Sequence, residues 1–382
     1  ARVKILLRIN KAATKLVNTG VWPAGIYGKE AQGVAPSTAF EIRAHMTNAL
    51  TSATAGQCAT VAIRLAMKPE QDPLVRIPID QILYWLLLCK SGISMKVVSR
   101  HWWDAKIAIT EHEDIYGRQR RWDMVFGPMG ATIATLHQMG WTPYSPYKWG
   151  SEKEVHSFNP AKITAAQKMA ILEDILDTAE ESVWYMAAEH YMGKGLENGG
   201  DLTIIKRHMT YLSKKGLNPQ MGLLKTIATG GIWPLMRIAE GKPDIDTICP
   251  HCKTANQTHL HMIWTCPSLK TAKSPAIQRS RYLVGRATLN YESCPGLYIR
   301  GIVPQDWISS IPGTKGMTEA INGYHTNKYI IGDIYLDGSG GERTKDPRTR
   351  RVGWCWVESL DPHNFKEGPG QYGTGPWKQK YQ

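Results

Sequence analysis

The segment from Cys249 to Cys266 constrains the fold of this chain more than any other. Its three cysteines and one of its histidines follow the spacing C-x2-C-x8-H-x4-C. Zinc prefers four thiolate or imidazole donors at tetrahedral corners. A Cys-x2-Cys turn presents two sulfurs together, and a His-x4-Cys pair can close the site from the next helix or turn. The pattern therefore predicts a structural zinc site formed by Cys249, Cys252, His261 and Cys266.

Two alternatives concern the ligands themselves. His259 and His251 compete with His261 as the fourth donor, and the cysteines could instead be unliganded thiols or a redox C-x2-C pair. Four protein donors without an obvious acidic general base are typical of a closed structural site, because a catalytic zinc keeps one position open.

Positive charge surrounds the cysteine segment. The chain has 46 Lys and Arg against 33 Asp and Glu, a formal net charge of +13. Such a surplus favours nucleic acid as a partner first and anionic membrane surfaces second. From Cys249 to Gly301 seven basic residues face one acid, a net charge of +6. An ordinary solvated basic face is the alternative. The predicted nucleic-acid-binding residues are Lys253, Lys270, Lys273, Arg279, Arg281, Arg286, Arg350 and Arg351.

Composition narrows the class of protein. Hydrophobic residues at 42% and charged residues at 21% describe a globular chain. The longest apolar run, Ile82 to Cys89, is too short for a membrane span. We expect no membrane association. The sequence begins without Met and without a signal-peptide pattern, which suggests a fragment. Seven cysteines, four of them scattered singly, favour a reducing compartment, cytoplasmic or nuclear.

The chain is expected to be α+β, in four parts. Residues 1–240 are predicted to be mostly helical, 241–292 to form the zinc module with a basic extension, and 293–328 to connect it to a C-terminal β region over 329–382. Apolar spacing and capping residues predict three helices in the first part. They are Gln81–Lys90 capped by Asp80, a helix starting at Asn159-Pro160, and Asp201–Lys215 closed by Gly216 with Lys206, Arg207, Lys214 and Lys215 exposed.

Aromatic residues are unevenly distributed, with 14 Trp and 16 Tyr but only 4 Phe. Three segments interleave them with basic residues, around Trp102, Trp122 and Trp149. Such surfaces can stack nucleobases. The simpler interpretation, which we favour, is that these rings anchor a helical core and keep their polar tips near the surface.

A carboxylate at the end of a strand is the second chemical feature. Tyr329–Asp337 and Val352–Ser359 are predicted strands, joined by the Gly-rich, basic turn Gly338–Arg351. Small residues follow Asp337, leaving it open to a metal ion, and Asp333 lies on the same strand face. Two-metal phosphodiester hydrolysis needs several carboxylates. Taken alone, the segment is equally a hairpin signal.

Three segments together resemble the C-terminal part of a non-LTR (LINE-type) retrotransposon polyprotein of the dinoflagellate type. Residues 24–30 (AGIYGKE) are similar to a motif in the thumb of these reverse transcriptases. The cysteine segment, with Trp264 and Pro267, is similar to their post-polymerase zinc motif. Residues 335–341 (YLDGSGG) followed by 350–354 (RRVGW) look like the first hairpin of a type-1 ribonuclease H.

The resemblance implies a thumb and connection region, a zinc motif and an incomplete ribonuclease H-like domain with a C-terminal β-hairpin. Asp337 then matches the family's first catalytic carboxylate, which binds Mg²⁺ in a complete domain. The second is expected beyond Gln382, and Glu358 and Glu367 do not match it. The polymerase Asp pair is also absent, so we expect this chain to be inactive.

The predicted function is binding of RNA, RNA–DNA hybrid or DNA by a retroelement protein. Its parent activities would be RNA-directed DNA synthesis and hydrolysis of RNA in hybrids. The alternative is a domesticated, zinc-containing adaptor or structural protein that binds a protein partner. An active nuclease using Asp333 with Asp337 is a third, weaker interpretation.

Overall fold

The computed structural model describes residues 16, 19–20, 22–51, 55–151, 154–159 and 162–309, together with the backbone of four C-terminal strands. The chain divides into two compact units, Ala1–Pro304 and Gln305–Gln382. Helices dominate the first unit, so the α+β class is confirmed in its coarse form. The predicted boundaries inside residues 1–304 stay predictions.

The first unit contains fourteen described α-helices. In chain order they are α1 Trp22–Gly25, α2 Lys29–Gln32, α3 Pro36–Leu50, α4 Ala59–Ala66, α5 Pro73–Cys89, α6 Met95–Tyr116, α7 Gly127–Gln138, α8 Ala165–Glu189, α9 Thr203–Lys214, α10 Asn218–Ala228, α11 Leu235–Ala239, α12 Pro275–Ser280, α13 Val284–Asn290 and α14 Pro295–Tyr298. Short 3-10 turns occupy Pro69–Gln71, Arg118–Met124, Pro267–Leu269 and Arg281–Leu283, and a π-turn occupies His261–Thr265.

Two small antiparallel sheets accompany these helices. Strands β1 Thr142–Ser145, β2 Lys148–Gly150 and β3 Val155–Ser157 form a meander in that order. Strand β4 Gly200–Asp201 pairs with β5 Val303–Pro304. The sequence predicted neither sheet, because strands of two to four residues are too short to show an alternating pattern.

Helix α5 begins earlier than predicted. Its N-cap is Asp72, whose Oδ1 accepts a hydrogen bond from the Leu74 amide at 3.2 Å. The predicted cap, Asp80, lies inside the helix, where its carboxylate is 2.6 Å from Lys29 Nζ. Pro78 also lies inside the helix, where it removes one backbone hydrogen bond.

Of the other two predicted helix starts, the one at Asn159 is several residues too early and the one at Asp201 is nearly correct. Helix α8 begins at Ala165, because Thr164 and Gln167 form a capping box, and Asn159 lies before it outside any helix. Helix α9 agrees with its prediction within two residues. Asp201 Oδ1 accepts from the Thr203 amide at 3.1 Å. Gly216 follows the helix with a φ of +71°, a left-handed conformation that favours glycine.

Tryptophans form much of the core, as the simpler interpretation predicted, but the polar tips of Trp85 and Trp149 are buried and not near the surface: both donate from Nε1 to the Pro146 carbonyl. Trp102 and Trp149 are fully buried, and Trp85 packs on Trp102 with ring centroids 5.3 Å apart. Trp103 is 48% exposed beneath the ammonium of Lys106. A second cluster of buried apolar side chains joins α4, α5, α8, α9 and α10.

The second unit contains helix α15 Gln305–Ser309 and a four-stranded antiparallel sheet of order β6-β9-β8-β7. Its strands are β6 Asn322–Gly323, β7 Asp333–Ser339, β8 Arg351–Asp361 and β9 Lys366–Pro376. Gly338 and Ser339 were predicted to lie in the turn between the two strands, but they belong to β7 and pair with Trp354 and Gly353 of β8. Asp337 therefore lies two residues before the strand end, opposite Cys355.

Candidate metal centre and basic surface

A tight turn presents the first two cysteines. The Lys253 amide donates to the Cys249 carbonyl at 2.8 Å, and Lys253 has a φ of +57°. The Cys249 amide in turn donates to the Ala255 carbonyl at 2.8 Å. These bonds bend the chain back on itself, so the Cys249 and Cys252 sulfurs lie on one side of the turn.

The other two donors come from the π-turn. His261 opens this turn, and the Cys266 amide donates to the His261 carbonyl at 2.8 Å just beyond it. This bond holds the histidine and the last cysteine together. The His-x4-Cys pair was predicted to supply the last two ligands, and the π-turn is the local structure that brings them together.

The four donor atoms converge. Cys249 Sγ lies 3.9 Å from Cys266 Sγ, and Cys252 Sγ lies 3.3 Å from His261 Nε2. All four lie within 4.8 Å of one another. Tetrahedral zinc with its usual bond lengths separates its donors by about 3–4 Å. The Cys3His cluster can therefore hold a metal ion such as zinc.

The competing histidines have other environments. His259 Nε2 lies 3.2 Å from the Ile232 carbonyl oxygen, and its ring packs against Tyr191. Burial lowers the pKa of His259 to about 4. His251 is exposed and lies outside the cluster. Among the three histidines of the segment, His261 is the one that joins the cysteines.

The thiols differ in acidity. Thr254 Oγ1 donates to Cys252 Sγ at 3.2 Å, and this hydrogen bond is the main reason that the pKa of Cys252 falls to about 6. Burial raises the pKa of Cys266. Cys252 is thus ready to bind a cation at neutral pH, whereas Cys266 must give up its proton to do so.

Hydrogen bonds attach the cluster to the helices around it. Trp264 Nε1 donates to the Tyr298 carbonyl at 2.7 Å, and the Leu235 amide donates to Gln257 Oε1 at 3.1 Å. No local sequence pattern indicates the role of Gln257, because Leu235 becomes its neighbour only in the folded chain.

The predicted basic surface is exposed where the structure describes it. Six predicted contact residues have exposed side chains: Lys253, Lys270, Lys273, Arg279, Arg281 and Arg286. Arg300 contributes to the local charge but is 1% exposed, with Nε donating to the Ala228 carbonyl at 2.9 Å. Arg281 donates to the Lys270 carbonyl, which links the two halves of this surface.

Three predicted site residues lie wholly or partly outside the described residues. Arg350 is outside them, and only the backbone of Arg351 and Asp337 is described, in β8 and β7. Their predicted roles stay predictions.

The structure also brings together a group that the sequence did not predict. Glu154, His156 and Asp174 place one potential ligand atom each within 4.8 Å of one another. In the sequence, the only local sign of this arrangement is the Glu-x-His spacing of Glu154 and His156. The third residue, Asp174, lies on a helix and reaches His156 only in the folded chain.

Comparison with known proteins gives no relative. No protein-family model, curated protein or solved structure matches the chain. Within the described residues, no helix is both long and apolar enough to span a bilayer.

Proposed function

We propose that the chain binds nucleic acid, RNA or RNA–DNA hybrid foremost, through a basic surface built on a structural zinc site. The convergence of four donor atoms in one Cys3His cluster carries the proposal. A closed set of four protein ligands fixes the module, and a basic surface fixed in this way can displace counterions from phosphates.

The surface chemistry supports a nucleic-acid partner. Between Cys249 and Gly301, Glu292 is the single acid, so little internal ion pairing offsets the exposed Lys and Arg. Tyr282 lies among these basic residues and is 81% exposed. An exposed aromatic ring among cations can stack an unpaired base.

We also propose the relation to LINE-type retroelements, on the three sequence segments that resemble them. In that relation, strands β7 and β8 begin a ribonuclease H-like domain, and Asp337 would hold Mg²⁺ together with further carboxylates. Parent activity would then be hybrid cleavage by two metal ions beside DNA synthesis. Incubation of a labelled hybrid with Mg²⁺ or Mn²⁺, with Asp337→Asn as control, tests whether this chain cleaves; we expect no cleavage.

A protein-binding adaptor is the second candidate. Leu289 on α13 is 85% exposed, and an exposed apolar side chain on a small module offers a contact to a protein partner. Salt dependence separates the candidates, because nucleic-acid binding weakens steeply as salt rises.

The test is fluorescence anisotropy of labelled RNA, DNA and hybrid across a salt series. Replacing Lys270, Lys273 and Arg279 by Gln should weaken binding and reduce the slope of log K against log salt by about one per lost phosphate contact. A matched variant removes the same charge elsewhere, by replacing three other exposed basic residues by Gln. These residues are Lys90, which precedes α6, and Lys96 and Arg100, which lie on α6.

The matched variant should bind nearly as tightly as the unmodified chain. Equal losses in both variants would mean that net charge alone attracts the nucleic acid. No binding of any probe at low salt would contradict the proposal and favour the adaptor.

A further inference from the structure

We propose that Glu154, His156 and Asp174 form a second metal site, for a divalent transition-metal ion such as Mn²⁺. The three donor atoms lie within 4.8 Å of one another. His156 Nε2 lies 2.7 Å from Asp174 Oδ2. This site shares no residue with the Cys3His cluster, and the inference does not depend on the proposed function.

The fold brings these side chains together from two elements. Glu154 immediately precedes β3 and His156 lies within it, so residues two apart point to the same face. Asp174 lies on α8, one turn before Thr178, whose Oγ1 donates to the Asp174 carbonyl at 2.8 Å. The sheet and the helix thus supply one side of the site each.

The imidazole is held in place from a second direction. The Trp141 ring stacks on the His156 ring, with centroids 5.6 Å apart and planes 15° apart. Trp141 Nε1 donates to Thr178 Oγ1 at 3.2 Å, which ties the indole to α8 as well. A ligand ring that is oriented before the ion arrives loses little freedom on binding.

Charge favours a cation at this place. Among the described residues, no Lys or Arg forms an ion pair with Glu154 or Asp174. Two carboxylates would neutralise a divalent ion, and the imidazole adds a donor suited to transition metals. His156 is 10% exposed and Asp174 36% exposed, so solvent reaches the carboxylate side.

The donor set distinguishes this site from the cysteine cluster. Two oxygens and one nitrogen suit harder ions than thiolates do, and three protein ligands leave positions for water. A simple His–Asp hydrogen bond between β3 and α8 is the alternative, and it requires no contribution from Glu154.

The experiment titrates Mn²⁺ into the full chain after one equivalent of Zn²⁺ has occupied the cysteine cluster. Free Mn²⁺ is measured by electron paramagnetic resonance. We expect one bound Mn²⁺ per chain, and affinity reduced roughly tenfold or more in Asp174→Asn and in Glu154→Gln.

The control is Glu173→Gln, which removes the same charge from the exposed neighbour of Asp174. It should leave Mn²⁺ affinity unchanged. Equal weakening in the control, or no Mn²⁺ binding by the unmodified chain, would overturn the proposal. If Asp174→Asn unfolds, Glu154→Gln decides, because Glu154 is exposed and its amide variant keeps the same shape.

Discussion

At the scale of single residues, the two thiols Cys252 and Cys89 differ most clearly. The Thr254 hydrogen bond lowers the pKa of Cys252 to about 6, whereas burial raises that of Cys89 to about 12. Thiolates are the species that alkylate. At pH 7 without metal, iodoacetamide should therefore modify Cys252 well before Cys89, as followed by peptide mass spectrometry.

Zinc should protect Cys252 in the same assay, because a metal-bound thiolate is no longer free to react. Thr254→Ala should slow its modification near pH 6, since loss of the hydrogen bond returns the pKa toward its usual value. Equal reactivity of the two cysteines without metal would contradict the difference in acidity, and no protection by zinc would contradict the assignment of Cys252 as a ligand.

His190 predicts a dependence of stability on pH. Burial and then the positive charge of Arg300 lower the pKa of His190 from 6.5 to about 4. The unfolded imidazole takes up a proton near pH 6.5, while the folded one stays neutral until about pH 4. The stability from neutral His190 is therefore complete above pH 6.5 and is lost as pH falls toward 4.

Urea unfolding at pH 7 and pH 5 measures this effect. The free energy of unfolding should fall by roughly 2 kcal/mol more in the unmodified chain than in His190→Asn. The comparison with the variant removes contributions from His259 and from the metal ligands. Parallel pH profiles for the two proteins would show that His190 titrates normally.

At the scale of elements, a buried network fixes the start of α5. Asp72 is fully buried, and its carboxylate accepts from Arg43 Nε at 2.9 Å and lies 3.6 Å from Arg64 Nη1. The same side chain caps the helix. Arg64 also pairs with Glu180 of α8, so one cluster joins four helices.

Removing this carboxylate should be costly, because it leaves a buried guanidinium without its partner. Asp72→Ala should lower the free energy of unfolding by about 3–5 kcal/mol. Asp72→Asn should cost about 1 kcal/mol less, since asparagine still caps the helix. Urea denaturation measures both, and exposed Asp177→Asn is the control. Losses no larger than the control's would mean that the network contributes little.

Local signals explain which elements the sequence predicted. Helix α9 combines an amphipathic pattern with Asp201 before it and Gly216 after it, and all three signals are local. Helix α5 also begins at a local signal, the N-cap Asp72 followed by Pro73 at the first helical position, but the prediction placed the start at Asp80. The cysteine cluster was predictable because the C-x2-C-x8-H-x4-C spacing is itself typical of zinc sites, whereas no such spacing marks Asp174, which meets His156 only through the contact of α8 with β3.

At the scale of the whole molecule, the cysteine cluster and the basic surface occupy one continuous segment of the chain, from Cys249 to Arg286. The cysteine cluster supports the turn that carries Lys253 and precedes the helices that carry Arg279 and Arg286. Trp264 and Gln257 bind this module to the helical region. If zinc fixes the module, then the arrangement of its positive charges depends on zinc.

The most direct test of this claim measures the affinity for RNA–DNA hybrid as a function of salt concentration in three zinc-treated proteins. They are the unmodified chain, a ligand variant (Cys249→Ser/Cys266→Ser) and a control variant that replaces two other buried cysteines (Cys58→Ser/Cys294→Ser). The control should retain the tight, strongly salt-dependent binding of the unmodified chain. The ligand variant should bind more weakly and with a shallower salt slope, because its basic residues no longer meet the phosphates together. Identical affinity and slope in the zinc-loaded chain and the ligand variant would contradict the account.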